Sequence, residues 1–284
     1  MVVAGVDVTQ KSTESCLLPI GVFDSGIGGL TVLKALMERL PQERFLYLGD
    51  TARLPYGSKS ARSVTRYALQ TTALLRQRGV KLLVIACNTA TAVSLDALQG
   101  AYPDLPVVGV IRPGALAACQ ASASGKIGVI GTESTIAGGS YEREILNMRP
   151  EAQVFGRSCP LFVPLAEEGW CTGQIARLVA EQYVGTLYAE TGIDTLVLGC
   201  THFPVLHQAI QHAVGPEVRL VDSARTTADF VHDMLVRQDI CAAPRSQGRQ
   251  VSFLATDGGE RFARVGSLFM DQPLRTEDVE LVDL

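Results

Sequence analysis

The chain has 284 residues, of which 47% are hydrophobic and 19% charged, and its formal net charge is −4 at pH 7. This length favours two domains, or two lobes that share one cleft, and the composition excludes a disordered chain. The acidic balance gives no electrostatic reason to expect nucleic acid or an acidic membrane surface as a partner, and no apolar run is long enough to span a bilayer.

The first segment, residues 1–18, is polar and weakly patterned, and we predict a flexible extension. It lacks a basic start followed by an apolar core, so no signal peptide is predicted and a cytoplasmic location is expected. The chain's seven cysteines are scattered without any Cys-x-x-Cys spacing. This pattern argues against a disulfide framework or a zinc site and favours a reducing compartment.

From residue 19 onward, apolar strand-like runs alternate with helical periodicity, for example over Gly29–Leu40 and Ser60–Arg78. The predicted strands are Ile20–Phe23, Phe45–Leu48, Leu82–Ala86, Val107–Ile111, Ile127–Ile130, Thr195–Gly199, Val218–Val221 and Val251–Ala255. Such alternation predicts an α/β fold in which helices flank mainly parallel sheets.

A glycine-rich turn, Asp24-Ser25-Gly26-Ile27-Gly28-Gly29, follows the first predicted strand and opens a helix. Its glycines let the backbone approach an anion, and the helix start offers unpaired N–H groups. Position 31 is threonine, so the turn is not a dinucleotide fingerprint, and no phosphate-loop lysine follows. An ordinary turn capped by Ser25 would fit the same residues, but Asp24 lies at a strand end, where ligand-binding carboxylates occur in open sheets.

Two further loops follow strands. The segment from Asp50 to Gly57 offers the hydroxyl of Tyr56 and the N–H of Gly57, although taken alone it is as typical of a plain turn. Thr132 and Thr135 lie in a hydroxyl-rich helix start that fits either carboxylate binding or simple helix capping.

Two segments 113 residues apart nearly repeat each other, since each runs an apolar strand into a cysteine followed by polar side chains. They are Ala86-Cys87-Asn88-Thr89 and Gly199-Cys200-Thr201-His202. A lone cysteine at a buried strand end is usually inert, but a matched pair at helix starts, where a thiolate is favoured, predicts one sulfur on each side of a substrate. His202 could share a proton with the thiol or the substrate.

Glu167 and Glu168 stand in an otherwise apolar stretch, Leu165–Trp170. Adjacent glutamates are usually solvated, and only the wider pattern makes Glu167 a candidate acid/base assistant.

In this order along the chain, these motifs closely resemble glutamate racemase, within the aspartate/glutamate racemase superfamily. The resemblance runs from about residue 19 to the segment around Phe253–Gly266. It implies two pseudo-symmetric α/β lobes, 19–112 with 223–284 and 113–222, with the active site in the cleft between them.

The resemblance also implies roles for individual residues. Cys87 and Cys200 would be the two bases, and Asp24, Glu167 and His202 would assist proton transfer. The residues expected to hold glutamate are Asp24, Ser25, Tyr56, Gly57, Asn88, Thr89, Thr201 and His202. By the same inference we expect D-glutamate supply for peptidoglycan in a bacterial cytoplasm, and a homodimer.

No lysine lies in the strand-end motifs and no metal-ligand spacing appears, so a reaction without cofactor or metal is predicted. Three alternatives stay open: aspartate racemase or another thiol isomerase of the superfamily, a non-catalytic anion-binding protein, and a hydrolase with one nucleophilic cysteine.

Overall fold

Strands and helices alternate along residues 16–243 and 250–284, the part of the chain that the computed structural model describes. Its strands are β1 (Ile20–Asp24), β2 (Phe45–Gly49), β3 (Leu82–Ile85), β4 (Val107–Gly109), β5 (Lys126–Gly131), β6 (Gln153–Ser158), β7 (Thr195–Gly199), β8 (Arg219–Asp222), β9 (Val251–Ala255) and β10 (Val279–Leu281). Its α-helices are α1 (Leu30–Arg39), α2 (Ala61–Gln77), α3 (Asn88–Ala101), α4 (Ile111–Ala121), α5 (Glu133–Ala137), α6 (Ser140–Met148), α7 (Phe162–Glu167), α8 (Gly173–Ala180), α9 (Thr186–Thr191), α10 (His207–Val214), α11 (Ser223–Gln238) and α12 (Gly259–Met270). Residues 1–15 of the predicted extension lie outside the described residues.

Two parallel sheets hold these strands. The larger has the order β10-β9-β2-β1-β3-β4 and the smaller the order β6-β5-β7-β8. Neighbouring strands are parallel throughout both sheets. Parallel neighbours need crossover connections, and the helices supply them.

Helices cover both faces of the larger sheet. Every residue of β1, β2 and β3 is buried, as a parallel sheet between helices requires. Successive residues of β1 join different hydrophobic clusters, since Val22 packs with one group of apolar side chains and Phe23 with another. The period-2 alternation of the strand thus divides the apolar core between the two faces.

The chain enters the smaller sheet after β4 and leaves it after β8. We call the larger sheet with α1–α3, α11 and α12 the first lobe, and the smaller sheet with α4–α10 the second lobe. Helix α11 follows β8 directly and packs against both α1 and α4, so it connects the two lobes.

The predicted α/β class with parallel sheets is confirmed. Two of the predicted strands have the same bounds as β7 and β9, whereas the strand predicted over Val107–Ile111 is too long. It ends at Gly109, and Ile111 begins α4, which takes Pro113 into its first turn. A proline there loses no helical hydrogen bond, because the first N–H groups of a helix have no partner within it.

Strands β6 and β10 were not predicted, and both are edge strands. The predicted lobe boundaries fall in the first turn of α4 (112/113) and at the start of α11 (222/223). Division of the chain at these two points stays a prediction. Within the described residues, no helix combines the length and apolar character needed to cross a membrane.

Candidate active site

The carboxyl ends of neighbouring strands bring the predicted residues together in pairs. In the larger sheet β1 pairs with β3, so Asp24, the last residue of β1, lies near Cys87. In the smaller sheet β5 pairs with β7, and these strands lead into Thr132 and Cys200. Parallel strands end at the same edge of a sheet, which is where open α/β sheets bind ligands.

Cys87 caps the N-terminus of α3, and the N–H of Ala90 donates to its sulfur at 3.4 Å. The sequence predicts that this helix start favours a thiolate, but the surroundings reverse the effect. Burial, together with the negative charge of Asp24, raises the pKa of Cys87 to about 12, against the opposing effect of hydrogen bonds from Ser25 and the helix N–H. The thiol form is therefore favoured in the free cleft, because the charged form loses its hydration.

Asp24 is fully buried. Its Oδ2 accepts from the N–H of Gly26 at 2.9 Å, while its Oδ1 has no hydrogen-bond partner among residues 16–243 and 250–284. Burial raises the pKa of Asp24, against the opposing positive charge of His202 and nearby backbone N–H groups. A buried acceptor without a donor is costly, so this oxygen is suited to a ligand that brings one.

Cys200 stands at the start of a chain of polar contacts. Its sulfur is 3.8 Å from His202 Nδ1, and His202 Nε2 is 3.1 Å from Glu167 Oε1. Burial acts to lower the pKa of His202, but the contacts with Cys200 and Glu167 outweigh it and raise the pKa to about 10. The imidazolium form is therefore favoured beside the Cys200 sulfur.

The other oxygen of Glu167, Oε2, accepts from Arg261 Nη2 at 2.6 Å. Burial acts to raise the pKa of Glu167, but its bonds with His202 and Arg261 outweigh this, and the pKa lies below its usual value. Glu167 is thus a carboxylate with a cationic partner at each oxygen.

The glycine-rich turn of the first lobe lies directly against the second lobe. A Cβ atom at Gly28 would overlap the His202 ring and the Thr201 hydroxyl, so only glycine fits there. The neighbouring Thr31 donates from its hydroxyl to the Thr201 carbonyl at 2.8 Å. These contacts fix the loop that follows Cys200 against the turn that follows Asp24.

Three threonine hydroxyls meet between the lobes. Thr89 Oγ1 lies 3.1 Å from Thr132 Oγ1 and 3.2 Å from Thr135 Oγ1. Thr132 also caps α5 by accepting from the Thr135 N–H at 3.3 Å, so the helix-capping interpretation is confirmed, while carboxylate binding stays a prediction. Gly57 approaches the same group, since a Cβ there would lie 3.2 Å from Thr132 Cβ.

Tyr56 is buried, and its hydroxyl donates to Asp50 Oδ2. Asp50 also accepts from Arg53 Nε at 2.7 Å and from the Thr256 hydroxyl at 3.0 Å. The Tyr56 hydroxyl, offered by the sequence as a ligand group, is therefore engaged within the protein.

Asn88 is bound by a residue that the sequence analysis missed. Tyr141, on α6 of the second lobe, donates from its hydroxyl to Asn88 Oδ1 at 2.7 Å. The Asn88 Nδ2 donor is buried and has no partner within the described part of the chain. Tyr141 stands in no motif; the one available signal is that a buried tyrosine hydroxyl needs a hydrogen-bond partner.

The predicted residues thus gather around one interface between the lobes, and among them the hydroxyl of Tyr56 is bonded to Asp50. A separate cavity of about 500 Å³ lies elsewhere, between α3, α4, α6 and α11, and is lined by none of them. Among the described residues, no group of three or more His, Cys, Asp and Glu side chains could hold a metal ion.

A parallel α/β fold with paired cysteines at facing strand ends defines a class, and the comparisons agree. The family model for Asp/Glu/Hydantoin racemase matches residues 20–231. A glutamate racemase of Geobacter metallireducens is 51% identical over 251 residues, which cover 88% of this chain and 92% of that protein.

Solved structures agree as well. A glutamate racemase isoform from Bacillus anthracis superposes with a TM-score of 0.87 at 36% identity, over 94% of this chain and 98% of that one. The enzyme from Francisella tularensis, solved in complex with D-glutamate, gives 0.86 at 34% identity over the same shares. The chain belongs to the glutamate racemase family, within the Asp/Glu/Hydantoin racemases, and is an enzyme of the isomerase class.

Proposed function

We propose that this enzyme interconverts L- and D-glutamate with Cys87 and Cys200 as opposed acid and base. The family supports the reaction, and the complex of the Francisella tularensis relative with D-glutamate supports the substrate. In bacteria that build peptidoglycan, the product would supply its D-glutamate.

The observation that carries the proposal is a pair of buried, unpartnered polar atoms beside Cys87. Asp24 Oδ1 lacks a donor and Asn88 Nδ2 lacks an acceptor among the described residues. An amino acid supplies both, because its ammonium group donates and its α-carboxylate accepts. A substrate held this way would lie between the ends of β1 and β3 on one side and the Cys200 loop on the other.

The chemical step moves one proton at each face of Cα. A thiolate on one side takes the Cα proton, and the C–H electron pair passes into the α-carboxylate as an enediolate. The thiol on the other side then delivers its proton to the opposite face of Cα and becomes the thiolate. The enzyme ends with the two sulfur protonation states exchanged, which the reverse reaction restores.

The charge that develops on the α-carboxylate must be stabilised. In this proposal the unpartnered Nδ2–H of the Asn88 side chain and the N–H groups at the start of α3 would do this. Two thiol bases suffice for the proton exchange, so the proposal includes no cofactor and no metal.

The two protonation states of the cysteine pair, with the thiolate on Cys87 or on Cys200, are not equivalent before substrate binds. The high pKa of Cys87 favours its thiol form, while the His202 imidazolium is a counter-ion for a thiolate on Cys200. We therefore propose that the resting enzyme holds Cys87 as the acid and Cys200 as the base, with Glu167 stabilising His202.

We propose glutamate rather than aspartate as the substrate because the motifs Asp24-Ser25 and Pro55-Tyr56-Gly57 resemble those of glutamate racemases. The cluster of Thr89, Thr132 and Thr135 hydroxyls, with Gly57 beside it, is suited to the side-chain carboxylate. The homodimer and the cytoplasmic location stay predictions.

The test is racemisation by the purified protein, followed by circular dichroism from each enantiomer of glutamate and of aspartate. We expect glutamate to racemise from both sides to the same end point, with aspartate much slower, and no loss of activity with EDTA or hydroxylamine. Cys87→Ser/Cys200→Ser serves as the inactive control. Faster turnover of aspartate, or activity that metal or pyridoxal phosphate must restore, would overturn the proposal.

A further inference from the structure

Arg261 lies in the first turn of α12 in the first lobe, and it reaches the polar chain of the second lobe. Its Nη2 is 2.6 Å from Glu167 Oε2, and Glu167 is the last residue of α7. The Arg261 side chain is 50% exposed and that of Glu167 is 14% exposed. The pair therefore crosses the mouth of the cleft from one lobe to the other.

Local preference does not explain an arginine at this position. The helix dipole disfavours a cation in the first turn of a helix. An ion pair this exposed also contributes little to folding stability. The position is thus poor for stabilising α12, and a residue that breaks a local rule is a candidate for function.

The same helix contacts the next group in the polar chain. The ring of Phe269, on α12, stands perpendicular to the His202 ring at a centroid distance of 5.4 Å. Helix α12 therefore contacts both Glu167 and His202 from the first lobe. The charged and titratable groups near His202 and Glu167 are Cys200, Asp24 and Arg261.

The two carboxylate oxygens of Glu167 contact different partners, Oε1 with His202 and Oε2 with Arg261. Two partners in fixed directions set the rotation of the carboxylate, and hence the direction from which His202 is held. A positive charge at Oε2 also keeps the carboxylate ionised as the pH falls.

We propose that Arg261 is a positioning residue for racemisation, which reaches across from the first lobe and holds the Glu167 carboxylate oriented toward His202. This inference rests on the proposed function, because it assigns Arg261 to the Cys200 side of that reaction. Arg261 acts through Glu167 and His202 and touches no reacting atom.

Racemisation has an equilibrium constant of one, so kcat/KM must stay equal in the two directions in every variant. A positioning effect must therefore lower kcat/KM equally for both enantiomers. What identifies the role is the pH profile, since loss of Arg261 makes Glu167 easier to protonate. The acidic limb of kcat/KM should then move to higher pH.

The experiment compares Arg261→Gln, Arg261→Lys and the matched control Arg264→Gln, which removes an exposed arginine one turn further along α12. We expect Arg261→Gln to lower kcat/KM about 10-fold and to raise the apparent pKa of the acidic limb by about 0.5–1. Arg261→Lys should recover most of both effects, and Arg264→Gln should stay within about twofold of wild type.

The double variant Glu167→Gln/Arg261→Gln separates this role from a merely structural one. If Arg261 acts through Glu167, the second substitution adds little to the first. An unshifted acidic limb in Arg261→Gln, an equal loss in Arg264→Gln, or additive losses in the double variant would each overturn the inference. Wild-type activity on glutamate, measured first, tests the proposed function separately.

Discussion

Cys87 and Cys200 each follow an interior strand of a parallel sheet, yet the charges beside the two sulfurs have opposite signs. Cys87 faces the buried carboxylate of Asp24, whereas Cys200 faces the imidazole of His202, backed by Glu167. A carboxylate opposes a thiolate and an imidazolium stabilises one. Similar backbone positions therefore place the two sulfurs in environments of opposite charge, and our proposal assigns them different roles in each direction of the reaction.

The largest effect that tests this comparison is removal of either sulfur. Cys87→Ser and Cys200→Ser should each lower racemisation on the order of 10³-fold in both directions, because either direction needs one sulfur as base and the other as acid. Cys119→Ser, which changes a cysteine outside the site, is the control. A Cys87 or Cys200 variant that keeps substantial activity would show that the two sulfurs are not partners.

Asp24→Asn addresses the Cys87 side. We expect kcat/KM to fall about 10²-fold, because the neutral amide no longer matches the substrate ammonium group. The same change should lower the pKa of Cys87, since the Asp24 charge raises it. The pH dependence of Cys87 alkylation measures this shift, with Asp96→Asn as the control; an unchanged alkylation profile would break the proposed Asp24–Cys87 coupling.

Glu167→Gln addresses the Cys200 side, where the sign differs. The His202 pKa, about 10 with Glu167 present, should fall toward its usual value when the carboxylate is lost. His202 then loses its proton at lower pH, so the alkaline limb of the kcat/KM profile should move down, with about a 10-fold loss of activity. The neighbouring exposed Glu168→Gln is the control, and an alkaline limb that does not move would contradict the assignment.

Tyr141→Phe should have the smallest effect, because Tyr141 supports Asn88 without touching the substrate in our proposal. It leaves Asn88 Oδ1 without its donor, at a cost of about 1 kcal/mol in the free energy of unfolding. We expect KM for glutamate to rise a few-fold and kcat to change less. Denaturant unfolding and steady-state kinetics check both effects against Tyr188→Phe, and an unchanged KM would remove Tyr141 from the site.

The sequence predicts the interior of the fold well and its edges poorly. Strands β7 and β9 are predicted at their observed bounds because they form nearly continuous buried runs. Strands β6 and β10 are edge strands, and neither contains a buried residue. Without a buried face they lack the apolar pattern on which the predictions depend.

The candidate site divides in the same way. The strand-end residues Asp24, Cys87 and Cys200 follow from local pattern, since each stands directly after a recognisable strand. Tyr141 and Arg261 do not, because their roles arise from contacts between lobes that are distant in sequence. The raised pKa of Cys87 could not be predicted from the sequence either. The sequence shows the helix start that favours a thiolate, but it does not show the burial that outweighs this effect.

Racemisation in deuterated solvent tests most directly whether the two sulfurs act on opposite faces of Cα. The account predicts that early product carries deuterium at Cα, delivered by a solvent-equilibrated thiol, while unreacted substrate stays largely protiated. Mass spectrometry of each separated enantiomer, started from L- and from D-glutamate, measures this. Early product that retains the original proton, or substrate that exchanges before it racemises, would contradict the assignment of Cys87 and Cys200 to opposite faces of Cα.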